Sequence, residues 1–212
     1  MYAIEKADAL LSEAHARGYR FPKTFPGFSA EVTWEGPDGA GAGTVVARLQ
    51  EGVDLDVRDV PEWAEGQLRS IVSHRSARTY ADGDGATPKR VAATSTLGQS
   101  IELDDEMNSS YLVGNGQISA VTRSAHGARF TIVVQGRTEA GDGTAVPTTF
   151  CVAFWDAEER LAAAEAYTDT YTDVSGVLLP ESRSIVRADS DGLTARRLVL
   201  SDHAPLTVEV GS

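Results

Sequence analysis

Basic side chains cluster in the stretch GQLRSIVSHRSARTY, residues 66–80, which carries Arg69, His74, Arg75 and Arg78. The chain as a whole is acidic, with 19 Lys and Arg against 31 Asp and Glu and a formal net charge of -12. Guanidinium groups bind carboxylates and phosphates through a planar fork of N–H donors. The cluster therefore indicates one of two things: a solvated helix end, where cations are favourable, or a site for an anionic ligand.

A helix over about residues 60–79 is predicted to position this cluster, because apolar residues recur there at helical spacing. The apolar stripe consists of Val60, Trp63, Ala64, Leu68, Ile71 and Val72. On a helical wheel, His74, Arg75 and Arg78 continue the side of this stripe. Arg69 falls on the opposite face and is expected to be solvated. The first three side chains are therefore candidates for a ligand site.

An acidic and aromatic strand face is the second candidate surface. In EAYTDTYTD, alternate residues share one face of a strand, and the opposite face carries only Ala and Thr. The acidic face consists of Glu165, Tyr167, Asp169, Tyr171 and Asp173. It is either the solvated convex side of a sheet or the lining of its concave side. In the second case it can pair with Arg75 and Arg78 in an internal ion-pair network.

His74 and His126 form the one histidine pair that could converge on a common site. His126 lies in a turn before Gly127, between two strong strands, whereas His15 and His203 are expected at the surface. Two imidazoles can serve as acid and base, or they can bind a metal together with a carboxylate such as Asp169. Their spacing requires neither role, so the sequence assigns no metal site and leaves any cofactor unknown.

The elements around these residues predict an α+β fold with one domain, residues 1–212. Many strands with alternating hydrophobicity indicate a strongly curved antiparallel sheet, a half-barrel. An N-terminal helix over residues 3–17 and the second helix, about 60–79, are expected to pack on its concave face. A cavity beneath such helices would suit an apolar or amphipathic small molecule.

Composition excludes several classes of function. The acidic field repels phosphate backbones, so nucleic-acid binding is not expected. No stretch approaches the roughly 20 apolar residues of a membrane span, and the N-terminal segment lacks the apolar core of a secretory signal. We therefore expect a cytoplasmic protein whose partner is a small-molecule ligand. The single cysteine, Cys151, excludes an intramolecular disulfide, and the oligomeric state is left open.

Four stretches together resemble a bacterial family of unknown function, domain-of-unknown-function family 3386. They are FPKTFPGFSAEV, GQLRSIVSHR, VTRSAHG and FWD followed by YTDVSGVLLPESR. The resemblance implies a LolA-like (lipoprotein-carrier-like) half-barrel, a group whose members carry lipid or other apolar ligands. It also implies roles for His74, Arg75, His126 and Gly127. Few histidines accompany Arg123, which argues against a shared metal site.

The sequence thus predicts a binding protein for an apolar or amphipathic ligand, which can also be anionic. The predicted ligand-binding residues are Arg75, Arg78, Tyr80, Arg123, Tyr167, Asp169 and Tyr171. The alternative is an enzyme of small-molecule metabolism, an isomerase, cyclase or hydrolase, with His74 and His126 as acid and base. A third interpretation is a purely structural domain whose arginines and acidic strand only neutralise each other.

Overall fold

The structure, a computed structural model, describes residues 2–125 and 128–207. Its two helices are α1 (Tyr2–Ala16) and α2 (Glu62–Ser73). The strands are β1 (Gly27–Gly36), β2 (Gly39–Arg48), β3 (Asp54–Arg58), β4 (Lys89–Ser95), β5 (Gly98–Leu103), β6 (Ser110–Gly114), β7 (Gln117–Ala125), β8 (Ala128–Glu139), β9 (Ala145–Trp155), β10 (Leu161–Val174), β11 (Val177–Asp189) and β12 (Gly192–Pro205). Within these residues, no helix is long and apolar enough to cross a membrane.

The twelve strands form one antiparallel sheet. Its strand order is β3-β2-β1-β12-β11-β10-β9-β8-β7-β6-β5-β4. Strands consecutive in sequence are therefore neighbours, except β3 and β4 at the two edges, and β1 pairs with β12. Within the described residues, β3 and β4 are edge strands and the sheet does not close. Two helices and an open antiparallel sheet confirm the predicted α+β half-barrel class.

The chain divides into two compact units, each of which holds one helix. Unit 1 comprises the described residues of 1–19, 78–167 and 186–193. Unit 2 comprises the described residues of 20–77, 168–185 and 194–212. The residues of the basic cluster therefore belong to different units, with Arg75 in unit 2 and Arg78 in unit 1.

In unit 1, α1 packs on the face of β4, β6 and β7. The spacing of its buried residues, Ala7, Leu11 and Ala14, places them on one side of the helix. They form a core with Ile101, Leu103, Tyr111 and Val113 from β5 and β6. This packing identifies the face of the sheet that α1 covers, which we call the inner face of unit 1.

In unit 2, α2 is shorter than the predicted helix. It begins after Pro61, which is extended at φ -70° and ψ 156°, and its C-cap is His74. The predicted end near residue 79 is therefore wrong. After the C-cap the backbone closes a tight turn, and the Arg75 carbonyl accepts a hydrogen bond of 2.7 Å from the Phe21 N–H. This bond to a distant segment holds the backbone out of the helix after its C-cap.

Glycines recur through GPDGAGAG, residues 36–43, as they do in turns, but residues from Gly39 onward belong to β2. Gly41 pairs with Trp34 of β1, and a Cβ atom at Gly41 would lie 2.6 Å from the Trp34 ring. A Cβ at Gly43 would lie 2.1 Å from the Arg58 carbonyl oxygen. The glycines thus permit close approach of neighbouring groups within a strand, and the turn itself is confined to the two residues between Gly36 and Gly39.

Candidate functional site

The first candidate site lies in unit 2, where α2 ends. Arg75 is only 9% exposed, although two residues beyond the helix a charged side chain would ordinarily reach solvent. One terminal nitrogen, Nη2, donates to the Tyr171 hydroxyl at 3.2 Å, and Nη1 donates to the His74 carbonyl at 3.4 Å. The guanidinium carbon lies 5.8 Å from the centre of the Tyr171 ring. Arg75 is therefore held inside unit 2 by uncharged groups.

Beside Arg75 lies a second buried arginine, Arg183, with a complete set of partners. Its Nε and Nη2 donate to the two carboxylate oxygens of Asp169 at 2.8 and 2.6 Å, and Nη1 donates to Gln67 Oε1 at 2.9 Å. The side chains of this pair are 5% and 2% exposed. A bidentate, fully buried pair of this kind fixes both side chains, and the charge of Arg183 balances the charge of Asp169.

Tyr171 connects the two arginines. Its hydroxyl accepts from Arg75 and donates to Asp169 Oδ2 over a long 3.5 Å. Burial raises the pKa of the Tyr171 phenol, so the hydroxyl stays neutral at physiological pH. It can relay a hydrogen bond, but it supplies no charge to balance Arg75.

The acidic strand face is thus the packed one. Tyr167 and Asp169 are buried and Glu165 and Tyr171 are half-buried, whereas Thr168 and Thr170 on the opposite face are exposed. Asp173, the last residue of the acidic face, is exposed as well. This resolves the two alternatives in favour of the interior. The partner of Asp169, however, is an arginine of the neighbouring strand β11, not an arginine of the basic cluster.

Other residues of the predicted site do not join this cluster. His74 and Arg78 are both exposed, and the His74 ring nitrogen Nδ1 lies 3.4 Å from the Ser70 hydroxyl one helical turn earlier. His126, with Gly127, lies outside the described residues, so its convergence with His74 stays a prediction. Within residues 2–125 and 128–207, no three His, Cys, Asp or Glu side chains come together as a metal site.

A second polar cluster lies in unit 1, around a histidine that was expected at the surface. The Nε2 atom of His15 on α1 lies 3.0 Å from Asp84 Oδ2, which also accepts a 2.7 Å hydrogen bond from the Tyr111 hydroxyl. The Tyr111 hydroxyl in turn accepts from Arg123 Nη2 at 2.9 Å. Arg123, one of the predicted ligand-binding residues, therefore ends a chain of four linked polar side chains.

The protonation states in this cluster follow from burial and hydrogen bonding. Burial opposes ionisation of Asp84, but the hydrogen bonds from His15 and Tyr111 outweigh it and lower the pKa of the carboxyl. Burial raises the pKa of the Tyr111 phenol to about 12. At neutral pH, Asp84 is thus a carboxylate, and Tyr111 is neutral.

Tyr80, another predicted ligand-binding residue, belongs to a neighbouring ion pair. Its hydroxyl and Lys89 Nζ each donate to Asp8 Oδ1 at 2.8 Å, and Lys89 also donates to the Gly85 carbonyl at 3.2 Å. The ammonium lies 5.3 Å from the centre of the Tyr80 ring. The two hydrogen bonds to Asp8 link α1 to Lys89 at the start of β4 and to Tyr80 in the segment before it, which gives Tyr80 a clear structural role.

Half-buried apolar side chains form a continuous strip on the inner face of unit 1. Cross-strand pairs set its register, because Val121 pairs with both Tyr111, in the α1 core, and Ile132. The apolar strip comprises Phe130, Ile132, Val134, Phe150, Val152 and Phe154. Val152 is buried, and the other five keep part of their surface accessible, in contrast to the fully buried residues under α1.

Charged and aromatic groups border the apolar strip. Tyr167, a predicted ligand-binding residue, stacks on Phe150 with ring centres 4.6 Å apart and planes 8° apart, and its hydroxyl donates to Glu165 at 2.5 Å. The Arg187 guanidinium lies 5.7 Å from the Phe154 ring centre and donates to Glu165 at 2.8 Å. On the other side, Arg123 pairs in register with Phe130.

A groove of about 520 Å³ lies on the opposite, solvent-facing side of unit 2. Residues of β1, β2 and β3 line it, with Arg58 in a 2.9 Å salt bridge to Asp56. The side chains of this pair are largely solvated, and their opposite charges cancel. This solvated ion pair therefore does not indicate a ligand site in the groove.

Two functional side chains escaped the sequence analysis. Arg183 lies among the alternating buried residues of β11, between Leu179 and Ile185. A charged residue at a position where the alternation predicts a buried side chain could have identified it from the sequence. The pairing of His15 with Asp84 spans 69 residues, and no local pattern indicates it.

Solved structures align with this chain over nearly its whole length. One is the crystal structure of a LolA superfamily protein from Nitrosomonas europaea, which is 13% identical, with 95% of this chain and 94% of that chain covered and a TM-score of 0.37. Another is a DUF1329 family protein from Desulfovibrio piger, 9% identical, with 99% and 95% covered and a TM-score of 0.37. No curated protein matches the chain.

A family match covers residues 3–206, nearly the entire chain. It confirms the family that the four short motifs indicated, and it extends well beyond them. The chain belongs to the family described as protein of unknown function DUF3386.

Proposed function

We propose that this chain is a binding protein for an amphipathic small molecule with an acidic end. The apolar strip of unit 1 is the observation that carries this proposal. Large apolar side chains that stay partly accessible in a contiguous patch mark binding surfaces for apolar groups. A ligand tail lying on the strip would remove this surface from water, at about 25 cal/mol per Å².

Arg123 supports an acidic end for the ligand. Its Nη2 donates to the neutral Tyr111 hydroxyl, and among the described residues its buried Nε finds no hydrogen-bond acceptor. Arg187, at the other border, already binds Glu165 at 2.8 Å and Asp189 at 2.7 Å. Arg123 therefore has donor capacity left for a carboxylate, and Arg187 has little.

The test compares two adjacent residues of β8 that point to opposite faces. Ile132 belongs to the apolar strip, whereas Val133 is 44% exposed on the outer face. In a fluorescence titration with a dansyl-labelled fatty acid, we expect Ile132→Gln to weaken binding by at least about tenfold, since burial of such a side chain is worth about 1.5–3 kcal/mol. Val133→Gln should leave the affinity within about twofold of the wild-type value, because its side chain does not face the ligand.

Controls separate binding from folding and test the head group. Phe154→Leu keeps the strip apolar and should retain folding, which is checked by the thermal unfolding midpoint, while it weakens binding. Arg123→Gln should weaken binding of the fatty acid, and it should leave binding of the fatty alcohol of equal length unchanged. Equal losses for Ile132→Gln and Val133→Gln, or no binding of either probe by the folded wild type, would overturn the proposal.

A further inference from the structure

Arg75 of unit 2 is a buried cation whose position the backbone determines. Its N–H donates to the Val72 carbonyl at 3.0 Å, and its carbonyl accepts from Phe21 at 2.7 Å. The residue is nine-tenths buried, so water cannot hydrate the guanidinium freely. A charge taken out of water in this way is costly unless an opposite charge or a full set of acceptors compensates for it.

That compensation is missing around Arg75. Within the part of the chain that the structure describes, no carboxylate lies within 4.0 Å of its guanidinium, and its buried Nε has no hydrogen-bond acceptor. The two contacts it makes, with the Tyr171 hydroxyl and the His74 carbonyl, are long and involve neutral groups. At least three of the five N–H donors of a guanidinium thus have no acceptor here.

Asp169 is not the counter-ion of Arg75, because its single charge is already balanced by the bidentate pair with Arg183. The Tyr171 phenol is not one either, since it stays protonated. The buried cluster then holds two guanidinium groups and one carboxylate. It carries one positive charge in excess, inside a protein whose net charge is -12.

We infer that Arg75 and Tyr171 form a binding site for a single carboxylate group supplied by a ligand. One negative charge neutralises the cluster, and the planar carboxylate matches the guanidinium fork at Arg75. The Tyr171 hydroxyl, within 3.2 Å of the guanidinium, donates its O–H to Asp169 only over a long 3.5 Å, and turning that O–H would supply a third donor for the same group. The site lies wholly within unit 2 and stands independently of the apolar strip of unit 1.

Acetate is the probe that tests this site, because it presents a carboxylate without a tail for the apolar strip. In wild-type protein with ¹⁵N-labelled arginine, the Arg75 Nε–H resonance should shift and saturate as sodium acetate is added. Sodium chloride at equal ionic strength should leave it unchanged. Acetate should also raise the thermal unfolding midpoint above the chloride control, since a ligand that binds only the folded state stabilises it.

Matched variants assign the effect to one side chain. Arg75→Gln should abolish the acetate-dependent rise in the midpoint, and Arg75→Lys, which keeps the charge without the fork, should reduce it. Arg78→Gln makes the same change in net charge three residues later at an exposed position, and it should retain the whole rise.

Three results would overturn the inference. The first is an Arg75 Nε–H resonance that does not respond to acetate in the wild type, where folding of a variant plays no part. The second is an equal loss of the acetate effect in Arg78→Gln. The third is an equal or larger effect of inorganic phosphate at the same concentration, which would mean a general oxyanion site in place of a carboxylate site. The effect of Ile132→Gln on fatty-acid binding does not influence any of these three results.

Discussion

Two buried cations, Lys89 in unit 1 and Arg75 in unit 2, differ in what surrounds them. The Lys89 side chain is 3% exposed, and its ammonium contacts the Asp8 carboxylate, the Gly85 carbonyl and the face of the Tyr80 ring. Arg75 is buried to nearly the same degree, but its described contacts are a phenol and a carbonyl. The same burial is thus compensated in one region and left uncompensated in the other.

This difference separates a structural role from a binding role better than burial alone does. A buried charge with its own counter-ion has a structural role, because the pair fixes two elements of the fold. A buried charge without one lowers stability unless something else offsets it, and a ligand carboxylate is such a group. Lys89 therefore belongs to the framework of unit 1, and Arg75 belongs to a site.

The largest expected effect comes from giving Arg183 the surroundings of Arg75. Asp169→Asn removes the carboxylate from a buried bidentate pair and leaves two unpaired guanidinium groups in unit 2. We expect a loss of about 3–5 kcal/mol in the free energy of unfolding, measured by urea denaturation. Thr168→Asn, on the exposed face of the same strand, should cost less than about 0.5 kcal/mol, and an equal cost at both positions would contradict the comparison.

A smaller effect is expected when Lys89 loses its counter-ion. In Asp8→Asn the ammonium keeps an amide oxygen and the Gly85 carbonyl as acceptors but loses its balancing charge. The Asp8 side chain is 48% exposed, so water screens part of the interaction, and we expect a loss of about 1–2 kcal/mol in urea denaturation. The double variant Asp8→Asn, Lys89→Met should recover most of it, because no unpaired charge is then buried.

The pH dependence of the Asp8→Asn loss provides its control. Hydrogen bonds from Lys89 and Tyr80 lower the pKa of the Asp8 carboxyl below its value in the unfolded chain. The carboxylate therefore contributes its full stability above the unfolded pKa of about 3.9, and the contribution is lost as the pH falls through the folded pKa. The gap between wild type and Asp8→Asn should close in that acidic window, and a gap that persists there would point to lost packing.

Patterns within one segment predicted much of the fold. The alternation in EAYTDTYTD covers residues 165–173, and the structure forms β10 around it, over Leu161–Val174. The N-terminal segment was equally informative, because the helix expected over residues 3–17 forms over Tyr2–Ala16 and buries Ala7, Leu11 and Ala14 on one side. In such elements the periodicity of apolar side chains determines which face is buried, so the sequence alone predicts the element and its buried face.

Contacts between distant segments account for the errors. The end of α2 depends on a hydrogen bond from Phe21 to Arg75, and the strand conformation of the glycine-rich segment depends on the Trp34 ring opposite Gly41. The candidate site shows the same limit. Helical spacing directed attention to Arg75 correctly, but the carboxylate expected to pair with it, Asp169, is bound by Arg183, which no local pattern connects to the basic cluster.

The smallest expected effect is the most informative for the comparison, and it concerns Arg75 without any ligand. Arg75→Met replaces an uncompensated guanidinium with an apolar side chain that adapts well to irregular space. In chloride buffer, the loss of contacts to Tyr171 and the removal of a buried charge act in opposite directions. We expect the free energy of unfolding to stay within about 1 kcal/mol of the wild-type value or to rise slightly. A loss as large as that of Asp169→Asn would mean that Arg75 is compensated in the protein itself. In that case Arg75 would be a framework residue like Lys89, and its cost of burial would require no ligand.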